Sequence, residues 1–350
     1  MVQNVKKDMQ MIKIAIVGTG AIATAHIRAI SKLPQCELVA LCDLNEARVK
    51  ELSEGLGVPY FLNYKDIPTA VEVDAVILNL PHGLHVSASV FFLETGVHVL
   101  VEKPMANTVE ECDTMIATAE KTGKKLAIAH IQRFFGVNRE VKKIIDSGVL
   151  GRLCMYTEQR SINYFLPTRP AWFTNKKMSG GGIVINYGAH AFDRLFYTTG
   201  ASSATICANC ANYANEREVE GHAQILATLD NGVSASITFS GYSTVVYDIY
   251  YYFTGGALHL NGTDSIEMKR ESEAEWTAIK PECNEDEFVL EIEEFCKYIQ
   301  GEPTEIPDAA YGRSIIHAIE NVYKILAYTQ GKTKALFLNC PCINLYLLWR

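Results

Sequence analysis

The feature that most restricts this chain is a regular alternation of short apolar runs and helical stretches from Met11 to about His130. The runs IKIAIVG (12–18), ELVALCD (37–43), VDAVILNLP (73–81), VHVLVEKP (97–104) and KLAIAH (125–130) are aliphatic without clean polar alternation, as expected of strands buried on both faces. Between them AIATAHIRAISKLP (21–34), NEARVKELSEGLG (45–57), HVSASVFFLETG (85–96) and TVEECDTMIATAEKTG (108–123) carry helical periodicity, ended by Pro34 or by glycine. Strands separated by helices of this length make βαβ units on a parallel sheet.

The first strand runs into GTGAIA (18–23), a G-x-G-x-x-A that opens a helix. Gly18 permits a tight turn, Gly20 lets backbone approach a pyrophosphate, and Ala23 lets helix pack on strand. The helix N-terminus supplies free N–H groups and a positive dipole end, and Thr19, Gly20, Ala21 and Ile22 are expected to meet the cofactor. Asp43 ends the next strand at the distance where a carboxylate accepts hydrogen bonds from ribose hydroxyls and repels a 2′-phosphate. The expected cofactor is therefore NAD, with NADP open because Arg48 is near enough in sequence to meet a phosphate.

Beyond His130 the texture changes. One helix, REVKKIIDSG (139–148), is followed by strand-like stretches, among them HAQILATLDNGVSASITFSGY (222–242) with the hairpin signal Asp230-Asn231-Gly232. VVYDIYYYFTGGALHLNG (245–262) adds two strands, and FVLEIEEFCKYIQG (288–301) and AAYGRSIIHAIENVYKILAYTQG (309–331) read as long amphipathic helices. The expected fold is an α/β Rossmann domain with a parallel sheet over 11–130, then an α+β domain with a large, mainly antiparallel sheet over 131–336. An N-terminal extension (1–10) and an apolar tail (337–350) flank them, with the final helix able to pack back on the first domain.

The 350 residues suffice for two cores, and a net charge of −8 leaves no basic footprint for nucleic acid. No apolar run is long enough to span a membrane, and MVQNVKKDMQ lacks the apolar region of a secretory signal. The ten cysteines then read as reduced thiols in the cytoplasm. Cys207 and Cys210 sit on a strand, where residues three apart point to opposite faces, and Cys340 and Cys342 supply two ligands at most, so no metal site is expected.

Two further stretches carry chemistry. Glu102-Lys103-Pro104 ends a parallel strand, the edge at which such sheets bind ligands, which places Lys103 near a nicotinamide. SGGGIVINYGAHAFD (179–193) puts three glycines ahead of a helical segment on which Asn186, His190, Asp193 and Tyr197 share one stripe. The glycines read as a close approach of backbone to nicotinamide or substrate. Asp193 and Tyr197 read equally as partnered structural groups.

Taken in order, GTGAIA, Asp43, LPHGLH (80–85), VLVEKP (99–104), QRF (132–134) and GGG…H…D from Gly180 to Asp193 resemble the Gfo/Idh/MocA family of oxidoreductases over roughly residues 11 to 330. The resemblance implies that Lys103 and His190 flank the substrate carbon and that position 186 completes the set, where this chain has Asn in place of the usual Asp. It also implies cofactor contacts from Leu80, Pro81, His85, Glu102 and Lys103, although Leu80 and His82 replace the Thr and Asn of the family pattern. Glu102, Gln132, Arg133, Tyr164 and Trp172 lie in segments that line the substrate cleft of relatives, and Arg133 and Arg169 read as salt-bridge partners or as contacts for an anionic group. Relatives cover the open sheet face with another subunit, so a homodimer or homotetramer through that sheet is expected.

The expected activity is hydride transfer between NAD(P) and a secondary alcohol or carbonyl of a sugar, cyclitol or related polyol. His190, with an intrinsic pKa near neutrality, suits the base, and Lys103 suits stabilisation of alkoxide charge or the base role itself. Asn186 cannot accept a proton and suits orientation. Two alternatives stay open: a redox-neutral, NAD-retaining enzyme of glycosidase type, and a non-catalytic NAD or sugar sensor.

Overall fold

The computed structural model describes residues 11–212, 218–282 and 285–330. The extension 1–10, the tail 337–350 and the thiols Cys340 and Cys342 lie outside the described residues. The chain divides into two compact units, Met1–Phe134 with Asn284–Arg313, and Phe135–Cys283 with Ser314–Arg350.

In the first unit β1 (Ile12–Val17), β2 (Cys36–Cys42), β3 (Tyr60–Phe61), β4 (Ala75–Leu78), β5 (His98–Glu102) and β6 (Leu126–Ala129) form one parallel sheet in the order β3-β2-β1-β4-β5-β6. The helices are α1 (Ala21–Lys32), α2 (Glu46–Leu56), the single turn α3 (Ile67–Ala70), α4 (His85–Glu94) and α5 (Val109–Thr122). Every residue of β4 is buried and only Lys13 of β1 is partly exposed, which is why these strands read as unbroken apolar runs. Caps fall where the sequence signals them: Asn45 accepts from the Arg48 N–H to start α2, and Gly57 ends it in the left-handed region. The order reverses between β1 and β4, the switch point at which doubly wound sheets bind ligands. Strand β3, two residues long, is too short to leave a sequence pattern.

The second unit begins with α6 (Gly136–Ser147), β7 (Leu153–Asn163), the short α7 (Lys176–Ser179) and α8 (Ile183–Thr199). Seven more strands follow: β8 (Ala204–Ala211), β9 (His222–Leu229), β10 (Ser234–Ser240), β11 (Tyr242–Phe253), β12 (Gly256–Asn261), β13 (Ser265–Arg270) and β14 (Thr277–Ile279). The sheet order is β14-β13-β12-β11-β7-β10-β9-β8, antiparallel at every pairing except β7 with β10. The Asp230-Asn231-Gly232 turn joins β9 to β10, with Gly232 at φ +86° as a bulged hairpin requires. Ile225, Ile237, Phe239, Ile249 and Tyr251 form a buried face on which α8 packs. Cys207 is exposed and Cys210 buried, on opposite faces of β8.

The buried face is not wholly apolar. Glu158 of β7 accepts from Arg194 Nη1 of α8 at 2.9 Å, both side chains fully buried, while Asn138 accepts from Nε and Tyr247 from Nη2. Such a pair is costly to break, because either charge alone would be buried without its counterion. It fixes the rotation of α8 about its own axis.

The chain closes with α9 (Glu287–Gln300) and α10 (Ala309–Gln330). Helix α9, counted with the second domain in the sequence reading, packs on α1: Ile292, Phe295 and Cys296 join the core there. Its N-cap Asp286 pairs with Lys32 at 2.8 Å and with Arg28 at 3.2 Å. Among the described residues no helix is long and apolar enough to cross a membrane.

Candidate nucleotide-binding and catalytic residues

The glycine turn follows β1. Gly18 has φ +91°, and a Cβ there would stand 2.3 Å from the Asn79 carbonyl oxygen after β4, so only glycine fits at the switch point. Thr19, fully buried, donates its N–H and its hydroxyl to Asp43 Oδ2 at 2.6 and 2.9 Å, and Asp43 Oδ1 accepts from the Asn45 N–H at 2.8 Å. The Asp43 carboxylate is thus aimed before any ligand arrives. Helix α1 starts at Gly20 with no side-chain cap and no acidic residue in its first turn, while Gly20, Ala21 and Ile22 are exposed. Its N–H groups and dipole are left for an anion. Ala23 is buried against the sheet, as its place in the motif requires.

Residues after β4 and β5 are locked together. His85 is fully buried, its ring nitrogens 2.8 Å from the Leu80 carbonyl and 2.9 Å from that of Pro104. Burial holds His85 below its ordinary pKa against the pull of these carbonyls. It joins the Leu80-Pro81 turn to the Lys103–Pro104 segment, whose peptide is cis. Lys103 is half-buried, and its N–H donates to Glu102 Oε2 at 3.1 Å.

Glu102 belongs to a buried polar cluster whose other members, His26 and Glu291, sequence reasoning passed over. His26 Nε2 of α1 lies 3.8 Å from Glu102 Oε1 and 3.5 Å from Glu291 Oε2 of α9. Burial, with the Glu291 charge adding to it, pushes Glu102 up to about 7, and burial lowers His26. The local sequence signal was only a histidine on the inner face of an amphipathic helix, which is ordinarily a core residue.

In the second unit the triple glycine has a reason other than the one its sequence suggests. Gly180 ends α7 in the left-handed region at φ +77°. A Cβ on Gly181 would lie 2.1 Å from the Tyr323 hydroxyl, and one on Gly182 would lie 2.0 Å from the Glu220 carbonyl oxygen. The glycines admit Glu220 and Tyr323. Glu220 Oε1 accepts from the N–H of Gly182 (2.8 Å) and of Val184 (2.9 Å) and from the Tyr323 hydroxyl (2.8 Å). This carboxylate caps α8 from outside the helix, at its positive end. Neither residue carries a local motif, so neither was found from the sequence.

On α8, Asn186 is buried and hydrogen-bonded to Tyr164, whose hydroxyl also donates to the Gly182 carbonyl at 3.3 Å. His190, one turn on, is half-buried. Asp193 is fully buried, and Tyr197 is half-buried with Lys142 5.9 Å above its ring. Tyr164 leads through Phe173 to Trp172, which stacks on Phe173 at 3.8 Å, and Arg169 lies 4.3 Å over the Tyr164 ring. Asn186, Tyr164 and Trp172 are therefore one group. Arg133 belongs to the first unit, where it donates to the Glu305 carbonyl at 2.8 Å and lies 4.4 Å over the Tyr311 ring. Gln132 beside it is buried. Lys103 belongs to the first unit and His190 to the second.

Comparison with known proteins agrees with this geometry. Residues 12–130 match the model of an oxidoreductase family with an NAD-binding Rossmann fold, and residues 138–263 match the GFO/IDH/MocA C-terminal domain. A 1-carboxy-3-chloro-3,4-dihydroxycyclohexa-1,5-diene dehydrogenase of Comamonas testosteroni is 29% identical over 66% of this chain and 58% of its own length. The D-glucoside 3-dehydrogenase of Escherichia coli (strain K12) is 32% identical over 54% of each chain. The match thus spans little more than half the length of these curated relatives. An aldose-aldose oxidoreductase from Caulobacter crescentus shares the fold, with a TM-score of 0.83 at 23% identity over 92% of this chain and 99% of that one. With both domain models matched in order, and with the turn, the pinned Asp43 and the Glu102-Lys103-Pro104 strand end standing where they do, the chain belongs to the Gfo/Idh/MocA oxidoreductase family.

Proposed function

We propose that this chain is an NAD-dependent oxidoreductase acting on a secondary alcohol or carbonyl of a sugar, cyclitol or related polyol. The observation that carries it is the Asp43 carboxylate, held by three hydrogen bonds beside an uncapped helix N-terminus. The N–H groups of α1 suit a pyrophosphate and Asp43 suits two ribose hydroxyls, and a 2′-phosphate would meet that negative charge. NAD, when bound, supplies the hydride acceptor or donor.

Among the chain's own groups, Lys103 bonds the substrate oxygen and stabilises alkoxide charge, and His190 takes the hydroxyl proton. Asn186, fixed by Tyr164, orients substrate hydroxyls without exchanging a proton. Trp172 offers an aromatic face to the apolar side of a sugar ring. Leu80, Pro81, His85 and Glu102 shape the floor near Lys103. Arg133 is assigned a structural role through Glu305 and Tyr311. A homodimer or homotetramer would cover the open face of the eight-stranded sheet, and a cytoplasmic setting suits cysteines that, among the described residues, form no disulfide.

The test is absorbance at the reduced-nicotinamide band with NAD or NADP and a panel of polyols, inositols, aldoses and nucleotide sugars. One substrate group reduces NAD, and Lys103→Ala lowers turnover by roughly a hundredfold to ten-thousandfold. Silence across the panel with NAD bound in calorimetry would overturn the reading.

A further inference from the structure

Cys36 opens β2, and Cys296 lies on the face of α9 that joins the core of the first unit. They are 260 residues apart in sequence, yet their Sγ atoms are 3.2 Å apart. That is roughly 1 Å beyond a disulfide bond, a gap that small side-chain rotations close. The two sulfurs are unequal. Cys296 is buried at 2% exposure, whereas Cys36 is half-buried at the edge of a hollow of about 310 Å³ lined also by Ile27, Leu33, Leu56 and Val58. A small neutral oxidant reaches Cys36 first.

We propose that Cys36 and Cys296 are a peroxide-sensitive dithiol that closes to a disulfide and ties α9 to the start of β2. The Cys36 thiolate attacks hydrogen peroxide: an S–O bond forms, the O–O bond breaks, and hydroxide leaves to be protonated as water. The Cys296 sulfur, giving up its proton, then attacks Cys36 Sγ. The S–S bond forms, the S–O bond breaks and a second water leaves. Two thiols lose two electrons and two protons, and one peroxide becomes two waters.

The hydrogen bond between the two sulfurs holds the Cys36 thiol below its ordinary range, while the same bond and burial push Cys296 up. The thiolate is what reacts, so the more accessible of the two sulfurs is also the one primed to begin. The bond joins a segment that returns late in the chain to one laid down early, so it constrains the unfolded state over a long loop.

The test treats the full-length protein with stoichiometric hydrogen peroxide, blocks remaining thiols by alkylation, and maps a non-reduced digest by mass spectrometry. The expected product is the Cys36 peptide joined to the Cys296 peptide and lighter by two hydrogens, lost again on adding dithiothreitol. In Cys296→Ser the reaction stops at a Cys36 sulfenic acid that dimedone traps, and in Cys36→Ser the Cys296 peptide stays unmodified. The unfolding temperature of the oxidised wild type rises and returns with dithiothreitol. Free thiols at both positions while other cysteines oxidise, or either sulfur bonded to a different cysteine, would overturn the proposal. The wild-type map decides this even if both variants fail to fold.

Discussion

Asp43 shows how one side chain serves both fold and ligand. Its two oxygens hold Thr19 and Asn45, and what faces outward is a fixed negative charge. Replacing it as Asp43→Asn removes that charge but keeps an acceptor. A charge-assisted hydrogen bond contributes about 1.5–3 kcal/mol, so NAD binding should weaken by roughly tenfold to a hundredfold in calorimetry, while NADP loses much less. Equal losses for both would show that Asp43 acts only as a brace. Glu102 makes a pH-dependent counterpart. Its pKa is higher folded, about 7, than the ordinary 4.5, so the folded state binds that proton better. Its contribution to stability is therefore fully present below 4.5 and drains away as pH rises towards 7. Glu102→Gln has no such charge to bury. The unfolding temperature of the variant should gain on that of the wild type across this window, by roughly 2–4 °C for each kcal/mol, and a gap constant with pH refutes the assignment.

At the scale of elements, the most consequential device is the start of α8. The Glu220 carboxylate takes two helix N–H groups and the Tyr323 hydroxyl, two residues ahead of Asn186 and a turn and more ahead of His190. Burial keeps its pKa above the ordinary range in spite of these bonds. Glu220→Ala would leave buried donors unsatisfied, costing about 1–3 kcal/mol for each. Chemical denaturation should show this loss and turnover should fall with it, whereas Glu220→Gln, which keeps the oxygen, should recover most of both. Gly182→Ala should be worse than Gly181→Ala, because the first strikes the Glu220 main chain and the second chiefly a side-chain hydroxyl that can swing away. How legible these elements were depended on how local their cause is. The turn at Gly18, the caps at Asn45 and Gly57 and the Asp230-Asn231-Gly232 hairpin are set within a few residues, and each could be read from the sequence. The cap on α8 reaches across 36 and 38 positions in the chain and leaves no local trace, so the glycines were visible and their reason was not. Likewise Glu158 interrupts the inward face of β7, a break in pattern that makes sense only once Arg194 is seen opposite it.

For the molecule as a whole, the return of α9 to α1 was the least legible feature, since an amphipathic stripe says that a helix packs but not on what. The same physics leaves a surface to be explained. Across the second sheet one row runs Cys207, Leu226, Ser236, Thr157, Tyr250 and His259, all on the face opposite Ile225 and Ile237. Leu226 is 60% exposed in that row, and His259 stacks on Tyr250 at 4.4 Å with Trp276 edge-on. An eight-stranded sheet with aliphatic and aromatic groups in register on its outer face is a surface of the kind that second copies cover. An isologous contact doubles every substitution made in it, so one charge is a sensitive probe. In a dimer joined through this face, Leu226→Glu would place two carboxylates in the interface and none in the core of the single chain. Sedimentation velocity should then show a smaller species at concentrations where the wild type is associated. The far-ultraviolet spectrum of the dissociated chain should be unchanged, because a surface substitution away from packed groups shifts intrinsic stability by no more than about 0.5 kcal/mol. A wild type that sediments as a single chain, or a variant that stays associated, would mean that this face is not the joint between subunits.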